Sequence, residues 1–196
     1  MVSKEIKNIF LSASIPLAER DPKYIESADV IAIRDSVIAL ATTILPHYRL
    51  IWGGHPSITP LIYYVLQKMN FNIQNHVRLY QSKLFEDYFP EDNNKFDNVI
   101  LTPINSGREN SLGIMRELMI GTNDFYAGIF IGGMEGIEIE YKMFREFHPN
   151  AKVIPLASTG AGAKMVYDNF EFKKNERFMY DYAYMSLFQD LLIKNK

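Results

Sequence analysis

The feature of this sequence that most limits its fold is an alternation of short apolar, β-rich runs with longer segments of helical spacing. Runs at residues 8–14 (NIFLSAS), 49–53 (RLIWG), 77–81 (VRLYQ), 99–102 (VILT), 126–131 (YAGIFI) and 153–157 (VIPLA) predict six strands. Residues 28–45 place Val30, Ile33, Val37, Leu40, Ala41, Ile44 and Leu45 at helical spacing, and Pro46 ends the pattern. Residues 58–69 form a second helical segment with Pro60 in its first turn, and residues 111–120 a third. In residues 137–147, Ile137, Ile139, Tyr141 and Met143 alternate as in a strand. The charges at Glu138, Lys142, Arg145 and Glu146 favour a helix with Ile137, Tyr141, Phe144 and Phe147 inward. Residues 179–193 predict a closing aromatic-rich helix, and residues 82–98 an irregular excursion. Strands joined through helices of this length imply parallel crossovers, hence a Rossmann-like, doubly wound α/β sheet with helices on both faces. The strand at 126–131, apolar throughout, belongs inside that sheet.

Composition narrows the function classes. A chain of 196 residues with 47% hydrophobic and 13% aromatic residues fits one domain with a sizeable core. The net charge of −2, with acids and bases interspersed, argues against a nucleic-acid partner held by electrostatics, which needs a basic stripe or tail. With no cysteine there are no disulfides, thiolate metal sites or cysteine nucleophiles. His47, His55, His76 and His148 show no metal-ligand spacing, so neither a metal nor a cofactor is expected. The first residues lack a signal peptide's apolar core, and no apolar run reaches the ~18 residues of a membrane span. The expectation is a cytoplasmic protein with no membrane partner.

Ligands on doubly wound sheets lie beyond the carboxyl ends of the strands. Four such ends carry small or hydroxyl residues: Ser12-Ala13-Ser14, then Gly53-Gly54-His55 running on to Thr59, then Gly132-Gly133-Met134-Glu135-Gly136, then Ser158-Thr159-Gly160. Glycine lets backbone approach a ligand closely, and a following helix start favours an anion. One such loop is an ordinary strand-to-helix turn; four on one rim point to a phosphate-bearing ligand. Arg116 on one helix and the acids Glu138 and Glu140 on the next could clamp a ribose phosphate or polarise a glycosidic bond. Taken singly, each fits a solvated helix face. His55 either touches ligand or orders its loop, and Arg34 pairs with Asp35 or reaches a phosphate. Phe85, Tyr88 and Phe89 stack on a base or form a small core of their own under the excursion. Ser12 and Ser14 have no local His and acid to make a nucleophile of either. Tyr180, Tyr182, Tyr184 and Phe188 either cover the domain or form a surface for homo-oligomer contact.

At Leu112-Gly113-Ile114-Met115-Arg116-Glu117-Leu118-Met119 and Gly132-Gly133-Met134-Glu135-Gly136-Ile137-Glu138-Ile139-Glu140 the chain resembles the SLOG superfamily of Rossmann-like domains. Its LOG branch carries a Met-x-x-Arg-Lys-x-x-Met helix followed by a strand and Pro-Gly-Gly-x-Gly-Thr-x-x-Glu. Arg116 falls at the family arginine, and Gly132, Gly133 and Gly136 at its three glycines. Glu140 falls at its acid, with one residue inserted before Gly136. Ile131, Ile137 and Glu117 replace the proline, threonine and lysine. WGGHPSITPLI resembles an earlier glycine loop, so the likeness spans nearly the whole chain. Its pairing with FIGGMEGIEIEY is most similar to bacterial SLOG domains linked to nucleotide signalling and antiphage defence. The resemblance implies a sensor or regulator that binds a nucleotide or ADP-ribose-derived small molecule, cyclic relatives included. The alternatives are a hydrolase cleaving the N-glycosidic bond of nucleoside 5'-monophosphates, with Arg116 and Glu140 as its catalytic pair, and an interaction module without ligand. The departures from the motif favour sensing over hydrolysis.

Overall fold

A computed structural model describes residues 6–69, 74–170, 172 and 175–194. The strands are β1 (Asn8–Ser14), β2 (Arg49–Trp52), β3 (Val77–Ser82), β4 (Val99–Thr102), β5 (Phe125–Gly132) and β6 (Lys152–Leu156). They form one six-stranded sheet in the order β4-β3-β2-β1-β5-β6, every pairing parallel. β5 lies between β1 and β6, as its continuous apolar run requires.

Alternate residues of each strand enter different cores. Ile9, Leu11, Leu50, Trp52, Leu79, Ile129, Ile131 and Ile154 point to one face. There they meet α2 (Val30–Ile44), α3 (Thr59–Lys68) and α8 (Tyr184–Phe188). Phe10, Ile51, Tyr80 and Phe130 point to the other, against α4 (Gly107–Arg116) and α5 (Glu135–Phe147). Full burial of each such side chain contributes roughly 1.5–3 kcal/mol, so two faces together hold the sheet firmly. The short α1 (Pro22–Ile25) and α6 (Ala161–Asn169) pack beside α5, and α7 (Arg177–Tyr180) precedes α8.

The chain runs outward from β1 to β4, then returns to place β5 against β1. The order therefore reverses between β1 and β5, and α2 and α5, which follow these strands, lie on opposite faces. Splayed helices leave a crevice above the strand ends at such a switch point.

Three expectations need correction. The closing helix is broken, because Asp181 turns extended and its carboxylate accepts from the Ala183 N–H at 2.9 Å, competing with helical bonding. A helix resumes at α8 and ends in a π-helical segment, Gln189–Lys194. Phe147 is exposed, lying across Gly121, where a methyl group would sit 3.1 Å from its ring. The excursion after β3 holds two short 3-10 segments, Lys83–Tyr88 and Glu91–Lys95.

Candidate functional site

A cleft of about 300 Å³ opens above the carboxyl ends of β1, β2, β3 and β5. Its polar end is built at the switch point. Arg116, on the last turn of α4, is only 8% exposed. Its Nε donates to Glu140 Oε1 at 3.1 Å, and the Ser12 hydroxyl donates to Glu140 Oε2 at 2.5 Å. Strand, α4 and α5 thus converge on one carboxylate. Gly136 makes room for this arrangement, since a Cβ there would lie 3.2 Å from Arg116 Nη2. The start of α5 faces the same space with no side chain capping it, so its first N–H groups and macrodipole favour an anion. At the rim, Arg20 pairs with Glu135.

The next loop presents Gly53, Gly54 and His55 to the cleft. The Ser57 N–H donates to His55 Nδ1 at 3.2 Å, which makes Nδ1 an acceptor and leaves the ring's proton on Nε2. Burial, with a smaller push from the nearby Arg20 charge, lowers the His55 pKa to about 4, so the ring is neutral near pH 7. The far wall is aromatic. Phe85, Tyr88 and Phe89 line it, and the Arg108 guanidinium lies 5.6 Å over the Phe85 ring. Tyr88 is 76% exposed, so these rings form a wall and not a core of their own.

Among the described residues no three His, Asp or Glu side chains gather where they could hold a metal ion. No helix among them is long and apolar enough to cross a membrane.

The SLOG cluster3 family's model matches residues 23–192, most of the chain. The chain belongs to the SLOG cluster3 family. No curated protein matches it. The matched span includes the Arg116–Glu140 pair, the β5 loop and the aromatic wall, whereas Ser12, Ser14 and Arg20 lie just before it.

In this SLOG chain the cleft brings together Ser12, Ser14, Gly53, Gly54, His55, Arg116, Met134, Glu135, Gly136 and Glu140 from among the residues expected at a site. Eight others sit elsewhere, each for a visible reason. The Thr159 hydroxyl accepts from the Gly132 N–H at 2.9 Å, and Ser14 O accepts from the Gly133 N–H at 2.8 Å. Those two amides join strand-end loops to one another and are not left over for a phosphate. The Ser158 hydroxyl meets that of Tyr184 at 3.0 Å, and Gly160 packs on the backbone of Ser27. Thr59 is fully buried and accepts from Trp52 Nε1 at 3.2 Å. Glu138 accepts from the Tyr24 hydroxyl at 2.7 Å. Arg34 pairs with Asp35 on an exposed helix face. Arg116 itself is buried and paired, not solvated.

Four polar cleft residues escape the sequence reading: Arg20, Gln81, Arg108 and Glu109. Gln81 was within reach of the strand-end rule, since it stands one residue before the end of β3. Arg20, Arg108 and Glu109 carry no motif and become visible only when the loop after β1 and the start of α4 fold over the cleft.

Proposed function

We propose that this cleft binds a nucleotide of the adenine or ADP-ribose type and that the chain serves as a sensor or regulator. The observation that carries this reading is the division of the cleft into two unlike ends. At one, Arg116, the Ser14 hydroxyl and the uncapped start of α5 offer donors suited to phosphate, while Glu135 and Glu140 offer acceptors suited to ribose hydroxyls. At the other, Phe85, Tyr88 and Phe89 offer π-faces suited to a base. The likeness to SLOG domains of nucleotide signalling extends the proposal to a role in antiphage defence.

One observation favours a second reading. Arg116 and Glu140 are in direct contact, although the motif around them departs from the LOG pattern. A carboxylate held beside a ribose could stabilise the positive charge that develops as an N-glycosidic bond breaks. Incubation with AMP, NAD and ADP-ribose followed by chromatography separates the two. Intact nucleotide with saturable heat of binding supports the sensor; released adenine or nicotinamide supports the hydrolase. Neither heat nor turnover with any of them contradicts both.

A further inference from the structure

Gln81 lines the cleft almost wholly buried, 5% exposed, and its amide is bonded on one side. Its Nε2 donates to the Gly54 carbonyl at 2.7 Å. A carbonyl can only accept, so the amide orientation is fixed: NH2 toward Gly54, Oε1 away from it. Gly54 stands so close that a Cβ would lie 2.0 Å from Nε2, and its φ of +67° suits glycine. The backbone thus grips one side of the amide. Among the described residues no group donates to Oε1. Oε1 thus stays open to a donor supplied by whatever occupies the cleft that Gln81 lines.

Its position matters as much as its orientation. Gln81 stands at the end of β3, and Phe85 and Tyr88 belong to the 3-10 segment that follows at once. From β5, where the phosphate-suited end lies, to β3 is three strand spacings, roughly 14 Å, comparable to an extended nucleotide. A nucleotide with its phosphate near the start of α5 would bring its base to Gln81 and the aromatic wall.

We infer that Gln81 selects the base: its Oε1 accepts from the exocyclic amine of adenine, and the cleft discriminates against hypoxanthine. This rests on the nucleotide reading above. Hypoxanthine has the same outline as adenine but presents a carbonyl oxygen where adenine presents an amine. Two acceptors would then face each other with no proton between them. Gln81 cannot turn over to relieve this without setting Oε1 against the Gly54 carbonyl.

The test compares calorimetric affinities for AMP against IMP, and for ADP-ribose against its hypoxanthine analogue, in the wild-type chain and in Gln81→Met. Wild-type protein is expected to prefer the adenine member of at least one pair by roughly 10- to 100-fold, the consequence of one buried hydrogen bond made or left unmade. In Gln81→Met, with folding checked by thermal unfolding, that ratio is expected to fall to within about threefold of unity. Equal wild-type affinities within each pair overturn the role of Gln81 and leave the nucleotide reading standing. So does a Gln81→Met variant that weakens both members alike and keeps the ratio, since that is the signature of a merely structural residue. If Gln81→Met fails to fold, the wild-type ratios alone decide. Failure of all four ligands to bind wild-type protein overturns the nucleotide reading and this inference with it.

Discussion

Arg116 carries its charge into a place that water hardly reaches, with side-chain exposures of 10% for it and 15% for Glu140. Removing one partner of so buried a pair strands the other's charge. Arg116→Ala is therefore expected to cost about 3 kcal/mol of folding stability in urea titrations, besides weakening nucleotide binding by roughly 10- to 150-fold. Adding Glu140→Gln should restore part of the stability, because the stranded carboxylate is then gone. An Arg116→Ala chain as stable as wild type contradicts this account of the pair. The identity of Arg116 and Glu140 was legible from their motif, but their burial was not. Helical spacing places a residue on a face of its own helix; it does not say what loop or helix will cover that face.

His55 makes a second expectation at this scale. Its pKa is lowered from 6.5 to about 4, chiefly by burial. Between those values the unfolded chain binds a proton that the folded chain does not, so stability rises with pH across that window. The contribution, roughly 3 kcal/mol, is complete above pH 6.5 and lost as pH falls toward 4. Urea titrations at pH 7 and 4.5 should show a smaller difference for His55→Gln than for wild type. Identical differences contradict the assigned burial.

At the scale of elements, the β5 loop shows how a motif and its geometry can part. Gly133 has φ +73°, and a Cβ there would lie 2.1 Å from Ile137 Cγ1. The sequence alone suggests that a side chain at 133 would obstruct a phosphate. The structure instead directs it into the first turn of α5. Gly133→Val is thus expected to destabilise the fold by roughly 3 kcal/mol, from positive φ and overpacking together, measured as a lower urea midpoint. A variant that keeps wild-type stability but loses binding contradicts this placement. The strands and α2 to α5 were legible because their apolar periods agree with one another and with their flanking turns. The closing helix was legible only as an apolar stripe. Its break depends on Asp181 bonding the Ala183 amide and on Arg177 pairing with both Asp181 and Asp190, contacts that periodicity does not encode.

Across the whole molecule, the strand reversal between β1 and β5 determines where chemistry can occur. Alternation of elements foretold a parallel sheet and a rim of loops, but not which loops would share one cleft. The sixth strand's Ser158, Thr159 and Gly160 belong to a rim loop, yet Thr159 holds the β5 loop from behind, Ser158 meets Tyr184 and Gly160 packs on Ser27. The excursion after β3 folds its aromatics over the cleft. Sequence separation hid both outcomes, because the strand order that decides them, β4-β3-β2-β1-β5-β6, is set by long-range packing. A ligand lying across four strand ends and contacting only the folded chain should stabilise the whole domain. At 100 times its dissociation constant the gain is about 2.7 kcal/mol.

The most direct test of the central claim, that this cleft is a nucleotide site anchored at Arg116, is isothermal titration of ADP-ribose and AMP into wild-type and folded Arg116→Ala protein. Saturable one-to-one binding of at least one ligand to wild type is expected, weakened roughly 10- to 150-fold in the variant. Binding of equal strength to both proteins, or to neither, contradicts the claim.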